Sequence, residues 1–121
     1  MKLPHNHGQH IDEVLSRLPH TDDFQLLAEI FKQLGDGNRI RIFWLLCHCE
    51  ECVMNLSAIL EMSSPAVSHH LRQLKNAGLI QGNRIGKEVY YKAVDSDASR
   101  LFHEMIEQMM EISCPDTKEK N

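Results

Sequence analysis

The chain has 121 residues, of which 42% are hydrophobic and 25% charged, with four Cys, eight His and a formal net charge of −4. That length suits one domain around one core. The longest apolar run, Ile42-Phe43-Trp44-Leu45-Leu46-Cys47, is far too short to span a bilayer, and MKLPHNHGQH lacks the apolar stretch of a secretory signal. Both observations argue against a membrane or secreted protein and for a cytoplasmic one. Four Cys in such a chain then point to thiol or metal chemistry in a reducing compartment, more than to a disulfide framework.

The elements follow in order. Residues 1–10 are polar, with Pro4, Gly8 and the histidines His5, His7 and His10, and read as a flexible arm. A short helix over about residues 10–17 stops before Pro19. Thr21 is expected to cap the next helix, whose apolar stripe is Phe24, Leu27, Ile30 and Phe31. Gly35-Asp36-Gly37 breaks it, and Asp36 caps a third helix running to about Cys49. Asn55 is expected to cap a short fourth helix carrying Leu56, Ile59 and Leu60. The fifth helix has Ser64 as expected cap, Pro65 at its first position and Gly78 just past its end. LIQGNR and EVYYKAV then flank a turn near Gly86 and read as a β-hairpin. Asp95 is expected to cap the last helix, which Pro115 limits, and residues 115–121 read as a disordered tail.

The net charge hides a division along this plan. Residues 1–61 carry five Lys/Arg against nine Asp/Glu, residues 62–92 five against one, and residues 93–121 three against seven. The basic block covers the fifth helix and the hairpin, as a local polyanion-binding face would. A mainly α chain in which a short helix, a tight connection, a second helix and a basic hairpin succeed one another has the plan of a winged helix-turn-helix, here over residues 11–114. In the fifth helix Val67, Leu71 and Leu74 share one face. Ser64, Ser68, His69, Arg72 and Asn76 lie on or near the other, with Lys75 at its margin. Short polar donors and a guanidinium suit phosphates and base edges of double-stranded DNA, and Arg84 and Lys87 on the hairpin are placed to reach its backbone phosphate or the minor groove.

Three segments of the chain, LGDGNRIRIFWLL, EECVMNLSAILEMSSPAVSHHLRQLKNAGLI and GNRIGKEVYYKAV, resemble the ArsR/SmtB family of bacterial metal-responsive repressors. The resemblance spans roughly residues 24–112. It implies a homodimer that binds a two-fold operator and releases it when an inducer binds. A dimer also has a physical argument: Leu101, Phe102, Met105, Ile106, Met109 and Ile112 form an apolar arc on the last helix wider than a small winged domain covers alone.

Three clusters offer metal ligands. Cys47, Cys49 and Cys52, with His48 among them, give soft donors suited to a Zn- or Cd-like ion. The resemblance implies a Cys-x-Cys at Cys52-Val53-Met54, where Met54 replaces the second thiol. It also implies that His5, His7 and His10 on the arm complete the partner subunit's thiolate site. In the last helix it implies an interface site at Asp95, Asp97, Gln108 and Glu111, where both imidazoles of the family pattern are missing. His103 and Glu107, one turn apart, offer a shifted pair.

The resulting expectation is a repressor that releases DNA when a thiophilic ion binds. One alternative is a thiol redox or persulfide switch on the same fold, pairing Cys47 with Cys114. Another is a metal-buffering protein. An enzyme acting on a small organic substrate is not expected, because no phosphate-binding Gly loop, HExxH or nucleophile–base set occurs.

Overall fold

The computed structural model describes residues 2–114. Among them, helices and strands follow in the order α1 (Ile11–Ser16), α2 (Thr21–Gln33), α3 (Gly37–His48), β1 (Glu51–Cys52), α4 (Val53–Leu60), α5 (Ser64–Asn76), β2 (Ile80–Ile85), β3 (Glu88–Ala93) and α6 (Asp97–Ser113). The winged helix-turn-helix plan is therefore present. The expected tail and the limiting role of Pro115 lie outside the described residues.

Capping decides where the helices begin. Asp36 accepts from the backbone N–H of Arg39 at 3.0 Å and opens α3, as expected. The other caps fall elsewhere. His20, in extended conformation, precedes α2 without a side-chain cap, and Thr21 is already helical. Ser63 rather than Ser64 caps α5, accepting from Ala66 N–H at 3.3 Å. Ser96 rather than Asp95 caps α6, accepting from Ser99 N–H at 3.2 Å. In both cases two cap-competent residues adjoin, and the cap is the extended residue directly before the first helical one. Asn55 is inside α4, where its amide donates to Glu51 Oε2 at 2.8 Å. Helix α4 starts early because β1 ends at Cys52 and leaves that residue extended.

The turn between α4 and α5 is fixed by Ser57, whose hydroxyl donates to the Met62 carbonyl while Met62 N–H returns a bond to Ser57 O at 3.1 Å. Helix α5 ends in a paired C-cap. Leu79 N–H reaches Leu74 O at 3.0 Å and Gly78 N–H reaches Lys75 O at 3.0 Å, with Gly78 at φ 76°. This is the glycine-dependent ending that turns the chain straight into β2.

The hairpin pairs Ile80 with Ala93 through Ile85 with Glu88, closing on a two-residue turn whose first residue, Gly86, has φ 65°. A third strand, too short to show any periodicity in the sequence, joins it. The two residues of β1 pair with β3, Glu51 opposite Tyr91 and Cys52 opposite Tyr90, giving the antiparallel order β1-β3-β2.

The core is drawn from Ile42, Phe43 and Leu46 of α3, Leu56 and Leu60 of α4, Val67, Leu71 and Leu74 of α5, Leu79 and Ile80, and Phe102 and Ile106 of α6. Helix α2 contributes no buried residue: Phe24, Leu27 and Phe31 of its expected apolar stripe are exposed, although Phe31 meets Phe102 edge-on at 5.7 Å. On α6, Leu101, Met105, Met109, Met110 and Ile112 are exposed as well. Two helices at one side of the molecule thus leave apolar faces uncovered by their own core.

Candidate functional site

The polar face of α5 is presented to solvent because its other face is sealed in the core. Val67, Leu71 and Leu74 are at most 2% exposed, whereas His69, Arg72, Lys75 and Asn76 are exposed and Ser64 and Ser68 are half-buried. The separation of faces expected from the sequence holds. Arg84 and Lys87 are exposed at the tip of the hairpin, and Arg84 Nε donates to the Gly86 carbonyl across the turn at 3.3 Å. No acidic residue occurs on α5. A cationic helix face and a cationic hairpin tip on the same chain suit a groove and its flanking phosphates.

Beside its core packing, α5 is tied to its neighbours by a residue that no motif in the sequence marks. Arg39, in the first turn of α3, donates from Nε to His70 Nδ1 at 3.2 Å and from Nη1 to Gln33 Oε1 at 2.7 Å. It thereby ties α2, α3 and α5 together. Burial holds the His70 imidazole below its ordinary pKa, and Asp36, 4.0 Å from His70 Nε2, opposes that shift.

The three thiols expected to share an ion do not converge. Helix α3 stays intact through His48, Cys49 donates its thiol to Leu45 O at 3.2 Å, and strand pairing turns Cys52 into the core at 5% exposure. Cys47, Cys49 and Cys52 form no three-ligand group among the described residues. Burial, with the Glu107 carboxylate adding to it, pushes the Cys47 thiol up to about 11, and burial with Glu51 raises Cys49. Neither thiol is poised as a thiolate. Cys114 is exposed at the end of α6.

On the arm, His5 and His7 stack at 5.9 Å and, with His10, are exposed; no three-ligand group among the described residues joins them to a thiol. At the start of α6, Asp95 and Asp97 both pair with Arg100. Gln108 donates to Glu104 at 3.2 Å, and Glu111 lies along a cleft of about 580 Å³ that Trp44, Ile106, Met110 and Cys114 also line. Of the residues expected to form an interface site, Asp95, Asp97 and Gln108 therefore have other partners within one chain.

What does converge is a set the spacing only half revealed. His103 Nε2 lies 3.2 Å from Glu107 Oε1, the expected pair one turn apart. His48, from the end of α3, joins them: its Nε2 is 3.0 Å from His103 Nε2 and 3.7 Å from Glu107 Oε1. Trp44 packs on the His48 ring at 4.3 Å and donates its indole N–H to Glu107 Oε1 at 2.7 Å. That hydrogen bond, with His103 and His48 nearby, holds the Glu107 carboxyl below its usual range.

Comparison with known proteins agrees with this architecture. The family model for bacterial regulatory proteins of the arsR family matches residues 36–81, from the α3 cap into β2. The chain is 33% identical over 105 residues to a transcriptional repressor SmtB homolog of Synechocystis, covering 87% of this chain and 80% of that protein. It is 35% identical over 88 residues to a cadmium resistance regulatory protein CadC homolog of Staphylococcus aureus, covering 72% and 73%. The homodimeric winged helix-turn-helix DNA-binding domain Mb0332 of Mycobacterium bovis superposes with a TM-score of 0.68 at 28% identity, over 78% of this chain and 91% of that one. The chain belongs to the ArsR/SmtB family of transcriptional regulators.

Proposed function

We propose that this protein is a homodimeric repressor that binds double-stranded operator DNA and releases it when a transition-metal ion binds. The observation that carries the reading is the division of α5 into a sealed apolar face and an exposed basic one. Ser64, Ser68, His69, Arg72, Lys75 and Asn76 are its groove contacts, and Arg84 and Lys87 its backbone contacts. The relatives named for SmtB and for cadmium resistance support the metal-responsive part. So does the presence of donor-rich segments where α3 runs into β1 and along α6.

The exposed apolar faces of α2 and α6 fit burial against a second copy, which sets two α5 helices about 34–36 Å apart for half-sites one turn apart. Release then needs only that the ion bind more tightly to a form whose α5 helices are badly spaced. If the thiols take the ion, they do so in an assembly that brings His5, His7 and His10 of a partner's arm to them, because Cys47, Cys49 and Cys52 do not meet within one chain.

The test is a fluorescence anisotropy titration with a duplex that the protein selects from random sequence, with and without Zn2+. Salt-sensitive binding that weakens with the ion supports the proposal. Ion binding with no salt-dependent DNA affinity would instead identify a metal buffer. Release by oxidant or polysulfide alone would identify a thiol switch.

A further inference from the structure

The convergence of His48, His103 and Glu107 arises from the fold rather than from any motif, and its dimensions are those of a metal site. Zinc binds nitrogen and oxygen at about 2.0–2.2 Å, so a tetrahedral ion sets its ligand atoms about 3.3 Å apart. The three separations between His48 Nε2, His103 Nε2 and Glu107 Oε1 are 3.0, 3.2 and 3.7 Å. No other group of three or more His, Cys, Asp or Glu among the described residues meets at one point in this way. Two imidazole nitrogens facing each other at 3.0 Å also need a proton on one of them. An ion replaces that proton without moving either ring far.

The surroundings are those of a supported site. Trp44 fixes the Glu107 carboxylate by its indole N–H and the His48 ring by packing, as outer partners of metal ligands do. The side chains of His48 and Glu107 are 45% and 47% exposed, which leaves a path for entry and room for a water as fourth ligand. Two imidazoles and a carboxylate suit Zn2+, Ni2+ or Cu2+, and the set lacks the thiolate that would favour a soft ion.

We propose that His48, His103 and Glu107 bind a Zn2+-like transition-metal ion within each subunit, joining the end of α3 to α6. This deepens the proposed function and rests on it for the consequence: His48 adjoins the segment leading to β1, which pairs with hairpin strand β3, while α6 carries the exposed apolar face. Binding at the site would therefore couple the hairpin to the dimer helix. The binding itself requires no DNA.

The experiment titrates Zn2+ into the full-length chelator-treated protein and follows emission from Trp44, the single tryptophan of the chain. Co2+ titration in parallel reads the ligand field by its visible absorption. Expected is one ion per chain, with His48→Asn and His103→Asn each weakening binding at least about tenfold and Glu107→Gln weakening it while keeping an acceptor for Trp44. Thermal unfolding by circular dichroism confirms that the variants are folded. The proposal is overturned if the folded histidine variants bind as the wild type does, or if Cys47→Ser/Cys49→Ser alone removes the ion. Because DNA is absent, the result is read separately from the operator titration, so failure of this site and failure of metal-triggered release are distinguishable.

Discussion

Arg39 Nε donates to His70 Nδ1 at 3.2 Å, joining the first turn of α3 to the middle of α5. The bond requires an unprotonated Nδ1, so this imidazole must be neutral where it is made. Burial favours the same neutral form and lowers the His70 pKa from its ordinary 6.5. A group that folding holds neutral stabilises the fold fully above its unfolded pKa, and the contribution is lost as pH falls below 6.5 toward the folded value. Asp36, whose carboxyl is lowered first of all by the Arg39 N–H, acts in the same direction at still lower pH. The melting temperature is therefore expected to drop between pH 7.5 and 5.5, and to drop less in His70→Gln. Equal slopes for the two proteins would show that His70 does not carry the effect.

Contacts to DNA divide into those that read bases and those that hold phosphates. Arg72→Ala is expected to weaken binding to the selected duplex by about 1–3 kcal/mol and to relax its sequence preference. Lys87→Ala is expected to weaken all duplexes alike and to lower the slope of log affinity against log salt by about one. Anisotropy titrations at three salt concentrations separate the two behaviours. An Arg72→Ala protein with unchanged affinity and preference would place the readout elsewhere than α5.

The uncovered face of α6 leads to a third expectation. Met109 is 52% exposed in the single chain and adjoins the exposed Met105 and Ile112. A carboxylate there would be desolvated in an interface and well solvated in a monomer. Met109→Glu is expected to sediment as a folded monomer and to bind the duplex far more weakly, since two linked half-sites become one. A variant that remains a dimer would put the interface on another surface.

Much of this architecture was legible in the residues. The α5 signals, the hairpin and the Asp36 cap depend on neighbours within a few positions, and local chemistry decides them. Ser63 against Ser64 and Ser96 against Asp95 are not separable by residue type, because adjacent residues each offer a side-chain oxygen able to cap, and the choice depends on where the first helical residue falls. Strand β1 was hidden because two residues carry no periodicity, and their partners Tyr90 and Tyr91 are distant in sequence. That same strand explains why the thiols disperse: it points Cys52 inward while Cys49 ends α3 in solvent. Of the His48–His103–Glu107 cluster, the spacing showed only the pair within α6. His48 is 55 positions away and is brought in by the packing of α3 on α6.

The central claim is that ion binding and DNA binding oppose each other. Its most direct test is to form the complex of wild-type protein with its selected duplex at fixed salt and add Zn2+ while following anisotropy. The account predicts release, with apparent DNA affinity lowered about 5- to 150-fold, the range of ordinary allosteric coupling, and restored by chelator. Unchanged anisotropy at ion concentrations that saturate the Trp44 signal would contradict it.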